Sequence, residues 1–289
     1  ESAWRALLIW SSVPALVAFV LGWIFLKESP RHKILQNADE GIQVFKHMYR
    51  TNHGYEFQIG EYEREKLNEW VENQKKLPKA SPISELVKGK LLRTSILVWI
   101  SWWVLSFVYY GITYSLPLII GKLNNTSNNA NNDEISYQDL YVAAIAEIPS
   151  YVLAVFAIEW KNLGRKYSVI LSFACCALGC FGTHFFSRSL FIWFILFAKF
   201  WANSAFAFMA PYTSELYPTQ CRATGLGFAS AASRIGGMIM PWVIVRTLEI
   251  QATLPLFVFG VASAVGAVAC ALLPYDTTGR TLDLAEGEK

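Results

Sequence analysis

Charged side chains inside long apolar segments are the first residues in this sequence that could do chemistry. Glu147, Lys199 and Arg234 each lie about eight to eleven residues inside such a segment. A charge in hydrocarbon costs about 2.5–3.5 kcal/mol, so residues kept there usually bind an ion or one another. One carboxylate and two cations suit a zwitterion, or an organic cation with anion coupling, and Glu147 could also take up a proton. The alternative is that Glu147 pairs with Lys199 or Arg234 and only fixes helix packing.

Aromatic side chains near these charges could add cation–π attraction for an ammonium group. At about 3.6 residues per turn, Trp103, Tyr110 and Tyr114 share one helical face, while Tyr109 lies about 100° from Tyr110. We therefore expect Tyr110 and Tyr114 to line a binding site. The alternative is that these rings face lipid or packing partners, as most aromatic side chains in membrane helices do.

A second group of charges lies where apolar segments end. Glu215 and Arg222 are seven residues apart across Pro218, between two apolar runs, and Arg165 lies at the end of another run. This spacing predicts an ion pair between two spans, which could break and reform as a gate. The alternative is a surface charge cluster, in which each pair contributes about 0–1 kcal/mol.

The elements that position these residues follow from composition. The 289 residues are 54% hydrophobic and 16% charged, and the apolar residues are clustered in runs that can each cross a membrane as a helix. The pattern predicts an all-α polytopic membrane protein. The predicted spans are Trp4–Leu26, Ser95–Ile120, Leu140–Ile158, Ser168–Phe186, Ser189–Ala210, Gly225–Leu248 and Leu254–Leu273.

The distribution of Lys and Arg predicts the orientation. With the loop Lys27–Arg93 in the cytoplasm, 19 Lys and Arg residues lie on that side and four on the other. We therefore divide the chain into a first membrane helix (1–26), a cytoplasmic loop (27–93), a six-helix bundle (94–274) and a cytoplasmic tail (275–289). Within the loop, Ala38–Arg50 and Gly60–Lys76 have the pattern of amphipathic helices lying under the membrane, and Leu77–Pro82 that of a linker.

The opposite side of the membrane holds the Asn-rich loop Gly121–Gln138. Asn124 and Asn125 begin overlapping glycosylation sequons there, although Asn-rich sequence also produces sequons by chance. The five cysteines form no disulfide framework and the four histidines have no metal-ligand spacing. We find no nucleophile–base arrangement or phosphate loop, and therefore expect no enzyme, cofactor or metal. The net charge of +3 reflects the orientation bias and gives no reason to expect nucleic acid.

Several short motifs, in order along the chain, carry a resemblance to a known family. They are Glu28-Ser29-Pro30-Arg31, Phe107-Val108-Tyr109-Tyr110-Gly111, Glu147-Ile148-Pro149, Gly164-Arg165-Lys166, the segment Tyr212–Arg222, and Ala232-Ser233-Arg234-Ile235-Gly236. The chain resembles the second half of a major facilitator superfamily transporter, from the sixth to the twelfth helix. It is most similar to the organic cation, organic anion and carnitine transporters and the synaptic-vesicle-2-related proteins. It departs from the family pattern at Lys27, Lys161 and Pro274-Tyr275-Asp276-Thr277.

The resemblance implies a fold and an activity. It implies one six-helix bundle plus the preceding helix, transporting small organic ions such as an organic cation or a carnitine-like zwitterion by alternating access. The implied substrate-binding residues are Glu147, Arg234, Lys199, Tyr110 and Tyr114. The implied cytoplasmic gate is formed by Arg165, Glu215 and Arg222.

The resemblance also implies partners. Family transporters bind substrate between two bundles, so an N-terminal bundle in the same or a second chain is expected. The first residue, Glu1, and the odd number of spans likewise lead us to expect a chain that is cut from something longer or processed. The alternative is a transporter-derived structural subunit that transports nothing and assembles with other subunits. The lipid surroundings would be the plasma membrane or an organelle membrane.

Overall fold

The computed structural model describes residues 3–26, 28–76, 81–125, 144–145, 147–158, 164–185, 190–218 and 221–278. In these ranges, all of the regular secondary structure is helical. The helices are α1 (Ala3–Phe25), α2 (Pro30–Gln36), α3 (Ala38–His53), α4 (Glu61–Lys76), α5 (Pro82–Leu86), α6 (Gly89–Asn125), α7 (Ile148–Ile158), α8 (Gly164–Phe185), α9 (Phe191–Leu216), α10 (Arg222–Ile250) and α11 (Leu254–Ala271).

The chain divides into two compact units, Glu1–Lys79 and Ala80–Lys289. The first unit contains both helices predicted in the polar loop, and α3 and α4 confirm them as helices. At the start of α3 the side chain of Asn37 accepts a hydrogen bond from the Asp39 amide, and at its end Gly54 adopts a left-handed φ of 79°. The short helix α2 was not predicted. It begins at Pro30, which lacks a backbone N–H, but no helical hydrogen bond is lost because the N–H groups of the first turn have no acceptor within the helix.

The second unit is a helix bundle that positions the charged residues. Helix α6 packs against α9, α10 and α11, and α8 packs against α9 and α11. Small residues allow the closest approach, as is usual between membrane helices. A Cβ atom added to Gly236 on α10 would lie 2.4 Å from the carbonyl oxygen of Trp103 on α6. The backbones of these two helices therefore meet at a point where only glycine fits.

Six of the described helices are long and apolar enough to cross a membrane. Each of them coincides at least in part with one of the seven predicted spans. The remaining predicted span, Leu140–Ile158, contains the shorter apolar helix α7, while residues 140–143 and 146 lie outside the described residues. The chain is an integral multi-pass membrane protein.

Two helices continue beyond the ends of the predicted spans. Helix α9 continues to Leu216 and not only to Ala210, whereas α6 continues to Asn125 but its membrane-spanning part ends at Ile119, next to the predicted Ile120. Pro211 removes only one backbone donor from α9. The helix continues downstream of it, where the Thr213 hydroxyl donates to the carbonyl oxygen of Met209 at 2.7 Å. Glu215 therefore lies in the last turn of a helix and not in a loop.

Two glycines on α10 form a matched pair for testing the α6–α10 contact. Gly236→Ala should lower the free energy of unfolding by about 1–3 kcal/mol, because the new methyl group would overlap a backbone carbonyl. Gly227→Ala should leave it unchanged or raise it by about 0.5–1 kcal/mol, because nothing lies within 4 Å of the added Cβ. Thermal unfolding of the purified protein in detergent measures both variants. Equal melting temperatures would show that the two helices can separate at no cost.

Candidate functional site

The carboxylate of Glu147 stands at an irregular turn just before α7. The Glu147 amide donates to the carbonyl oxygen of Ala144 at 3.2 Å, and its own carbonyl oxygen accepts from the Ser150 amide at 3.1 Å. Pro149 follows two residues later and has no N–H to offer the preceding turn. The carboxylate is thus placed at the N-terminal end of α7, where the helix dipole favours negative charge.

Lys199 on α9 forms an ion pair with this carboxylate. Its Nζ atom lies 2.9 Å from Glu147 Oε1, and the two side chains are 6% and 20% exposed. Separating two such buried charges without new partners is strongly unfavourable, because each would lose its solvation without compensation. The structure thus brings together two of the predicted site residues, in the pairing that the packing alternative also allowed.

Tyr109 on α6, which was not among the predicted site residues, contacts the second carboxylate oxygen. Its hydroxyl donates to Glu147 Oε2 at 3.2 Å. Its ring lies edge-on to those of Tyr110, at 5.4 Å between centroids, and Phe206, at 5.2 Å. Tyr110 in turn lies 6.5 Å from Tyr114, which is 59% exposed. A row of three tyrosines therefore leads from an exposed ring to the partly exposed carboxylate.

Asn203 supports this turn from α9, one helical turn after Lys199. Its side-chain amide donates to Ser150 Oγ at 2.6 Å and to the Glu147 carbonyl oxygen at 3.4 Å. Its own carbonyl oxygen accepts from the Tyr151 hydroxyl at 3.3 Å. The side chain is buried, and all of these partners belong to the start of α7. A polar amide four residues after a lysine in an apolar helix was the signal that could have revealed it.

Arg234 lies apart from the ion pair. It is exposed on α10, and among the described residues it forms no ion pair, so Glu147 pairs with Lys199 and not with Arg234. Helix α10 runs along α6, and a Cβ added to Gly237 would lie 3.6 Å from the ring of Tyr110. Arg234 is therefore carried by a helix that also borders the tyrosine row.

The second predicted cluster also forms only in part. Arg165 at the start of α8 makes an ion pair with Glu215 in the last turn of α9, and both side chains are about one-fifth exposed. Arg222, the first residue of α10, stands outside this pair. Its Nε and Nη2 atoms are buried and have no hydrogen-bond partner among the described residues.

The expected contact between Glu215 and Arg222 is therefore corrected to one between Glu215 and Arg165. The reason is helix packing: α9 lies along α8 over most of its length and touches α10 much less. Closeness in sequence across Pro218 does not place the two side chains together, because α9 ends and α10 begins with different neighbours.

Asp276, which the sequence analysis noted only as a departure from the family pattern, caps the start of α8. Its Oδ1 atom accepts hydrogen bonds at 3.0 Å from the amides of both Arg165 and Lys166. The Thr278 hydroxyl accepts from the Arg165 amide at 2.8 Å. Gly164 has a left-handed φ of 66°, and a Cβ there would overlap the Asp276 carboxylate. The glycine is thus required both by the turn and by the cap.

Two further hydrogen bonds hold the same stretch of the tail. Lys166 Nζ donates to the carbonyl oxygen of Leu273 at 2.7 Å, and the Tyr212 hydroxyl donates to that of Tyr275 at 2.8 Å. The residues after α11 therefore connect the start of α8 to the end of α9, beside the Arg165–Glu215 pair.

Comparison with known proteins decides the family. The family model described as Major Facilitator Superfamily matches residues 1–241. The chain belongs to the major facilitator superfamily. The predicted resemblance is therefore confirmed, and the all-helical bundle is the fold expected of half of such a protein.

Similar proteins include transporters of this superfamily. The chain is 29% identical to the putative transporter svop-1 of Caenorhabditis elegans, over 96% of the chain and 54% of that protein. It is 28% identical to organic cation/carnitine transporter 7 of Arabidopsis thaliana, over 96% of the chain and 62% of that protein. It is 29% identical to the synaptic vesicle 2-related protein of Bos taurus, over 96% and 51%. The chain thus spans about half the length of these relatives.

The remaining prediction for this superfamily member is glycosylation. Asn124 and Asn125 are the last two residues of α6, and their sequons continue into residues 126 and 127, which lie outside the described residues. Glycosylation stays a prediction. Within the described ranges, no group of three or more His, Cys, Asp and Glu side chains could hold a metal ion.

The cap on α8 can be tested at Asp276. Asp276→Ala should lower the free energy of unfolding by about 1–2 kcal/mol, because two amides at the helix start lose their acceptor. Asp276→Asn is the matched control, because it keeps an acceptor oxygen and should cost less. Hydrogen exchange at Arg165 and Lys166 should accelerate more in the alanine variant. Equal exchange in both variants would show that the side-chain oxygen is not the cap.

Proposed function

We propose that this chain forms one half of a secondary transporter for small organic cations or carnitine-like zwitterions, which works by alternating access. The observation that carries the proposal is the partly exposed Glu147 carboxylate at the end of the tyrosine row. A carboxylate attracts an ammonium group, and the faces of tyrosine rings attract the same group by cation–π interaction. The similar Arabidopsis protein, which is named organic cation/carnitine transporter 7, supports the same substrate class.

Arg234 would extend the site to zwitterions. It is an exposed cation on the helix that borders Tyr110, and it has no ion pair among the described residues. A substrate with both an ammonium and a carboxylate could place the first near Glu147 and the second near Arg234. Tyr110 and Tyr114 would lie along the body of the molecule.

The cytoplasmic gate would be built on the Arg165–Glu215 pair. Both residues belong to one bundle, so this pair shapes a surface and does not by itself bridge two bundles. The buried N–H groups of Arg222 have no hydrogen-bond partner among the described residues, so they would bind an acceptor from the rest of a two-bundle transporter once a movement exposes them. The excess of Lys and Arg on this side, 19 against four, supports a cytoplasmic position for the gate and for the C-terminus.

Uptake into proteoliposomes tests the proposed substrate class. The full-length protein that carries this chain should take up labelled tetraethylammonium or L-carnitine saturably, and benzoate much less. Glu147→Gln should reduce kcat/KM at least about tenfold, because one lost charge–charge contact of about 1.4 kcal/mol already gives that factor. Glu249→Gln, which removes an exposed carboxylate 3.8 Å from Arg246, is the matched control and should transport normally.

The uptake measurement also separates the two hypotheses that the sequence left open. Saturable uptake lost in Glu147→Gln supports a transporter. Absence of uptake of all three compounds by folded, reconstituted protein would contradict it and favour the structural subunit. Uptake of benzoate alone would contradict the assignment of Glu147 as the substrate carboxylate.

The gate can be tested with a cysteine introduced at the exposed Ala223, next to Arg222. Glu215→Gln should increase labelling of this cysteine by a membrane-impermeant maleimide, because loss of the Arg165–Glu215 pair should favour the inward-open form. The control is Arg246→Gln, which breaks an exposed ion pair elsewhere on α10 and should leave labelling unchanged. Equal labelling in Glu215→Gln and the control would contradict the gate.

A further inference from the structure

We propose that Lys199 acts as a built-in counter-cation that occupies Glu147 in the empty transporter and is displaced by the ammonium group of the substrate. This inference rests on the proposed function and deepens it. It makes the ligand of the site a monovalent organic ammonium that competes with a lysine for one carboxylate.

The first support is that both oxygens of the carboxylate are already engaged. Lys199 Nζ lies 2.9 Å from Oε1, and the Tyr109 hydroxyl donates to Oε2 at 3.2 Å. Each oxygen can accept a further hydrogen bond, but the single negative charge is already neutralised by Lys199. A substrate ammonium that reaches Glu147 therefore meets the repulsion of a second cation unless Lys199 withdraws. Tyr109 is held by ring contacts on two sides, with Tyr110 and Phe206. Lys199 has a flexible four-carbon stem that can withdraw its ammonium group, so it is the partner that leaves.

The second support is that the carboxylate itself is held in place while its partner changes. Asn203 and Ser150 both hydrogen-bond to the carbonyl oxygen of Glu147. These contacts fix the turn before α7 independently of the ion pair. Withdrawal of Lys199 would leave the carboxylate in position, at the end of the tyrosine row.

The third support is the charge balance. The Glu147–Lys199 pair has no net charge, which is the inexpensive state within a membrane bundle, so the empty transporter favours the pair. A bound monovalent cation adds one positive charge, because Lys199 keeps its own charge when it withdraws, and this cost opposes binding. A ligand that competes with an internal group binds with an apparent affinity reduced by the fraction of time that the site is free.

Substitution of Lys199 tests the competition by binding. The probe is radiolabelled N,N-dimethylphenethylamine, a monovalent aromatic ammonium, with the full-length protein in detergent. If Lys199 occupies Glu147 at least nine-tenths of the time, Lys199→Met should tighten binding about tenfold or more. Lys199→Arg keeps a competing cation and should bind about as the unaltered protein does. Unchanged or weaker binding in folded Lys199→Met would overturn the proposal.

A second measurement uses the unaltered protein, because Lys199→Met leaves a buried carboxylate unpaired and can fail to fold. Reductive methylation with formaldehyde, followed by mass spectrometry, reports the reactivity of each lysine, and the tertiary amine probe does not react. Saturating probe should increase methylation of Lys199 several-fold. Lys166, whose Nζ donates to the Leu273 carbonyl oxygen, is the control and should not change. Phenylacetate, an anion of similar shape, should have no effect on either lysine.

The outcomes separate this inference from the proposed function. Saturable binding of the amine without increased reactivity of Lys199 overturns the displacement and leaves the transporter proposal standing. Absence of saturable binding of the amine, tetraethylammonium and L-carnitine alike overturns the proposed substrate class and the displacement with it.

Discussion

The cost of charge within a membrane is the constraint on which the centre of this bundle depends. Glu147 and Lys199 are both largely buried in segments that are otherwise apolar, and each is tolerable there because the other is 2.9 Å away. The pair requires α7 and α9 to meet at one level. The irregular turn before Pro149 and the hydrogen bonds of Asn203 set that level. The same pair holds α7 and α9 together and leaves the Glu147 carboxylate partly accessible, so one contact serves both helix packing and the proposed binding.

The end of the bundle near Arg165 is organised by different chemistry. There the partners are helix ends: Asp276 satisfies two amides at the start of α8, and Glu215 in the last turn of α9 pairs with Arg165. These interactions join the start of α8, the end of α9 and the residues after α11, so they fix helix ends and not helix centres. The Arg165 and Glu215 side chains are about one-fifth exposed, so breaking this pair also requires new partners for both charges.

Membership in the major facilitator superfamily explains two features of this chain: its length relative to similar proteins and its exposed polar residues within apolar helices. The chain spans about half the length of its relatives, and a transporter of this superfamily binds substrate between two bundles. Tyr114 and Arg234 are exposed although both lie in apolar helices. An exposed polar group in a membrane helix is costly against lipid and acceptable against a water-filled cavity.

The sequence alone determined the properties that depend on composition and period. Runs of apolar residues located the membrane helices, because a span needs about 20 of them in succession. Helical spacing located α3 and α4, and isolated charges in apolar runs selected Glu147 and Lys199. Only the tertiary structure decided which side chains meet. Tyr109 reaches Glu147, and Glu215 reaches Arg165 rather than Arg222, because helices that pack side by side bring together residues far apart in the sequence. A one-dimensional pattern specifies the face of a helix, whereas the partner on that face is set by which helices pack together.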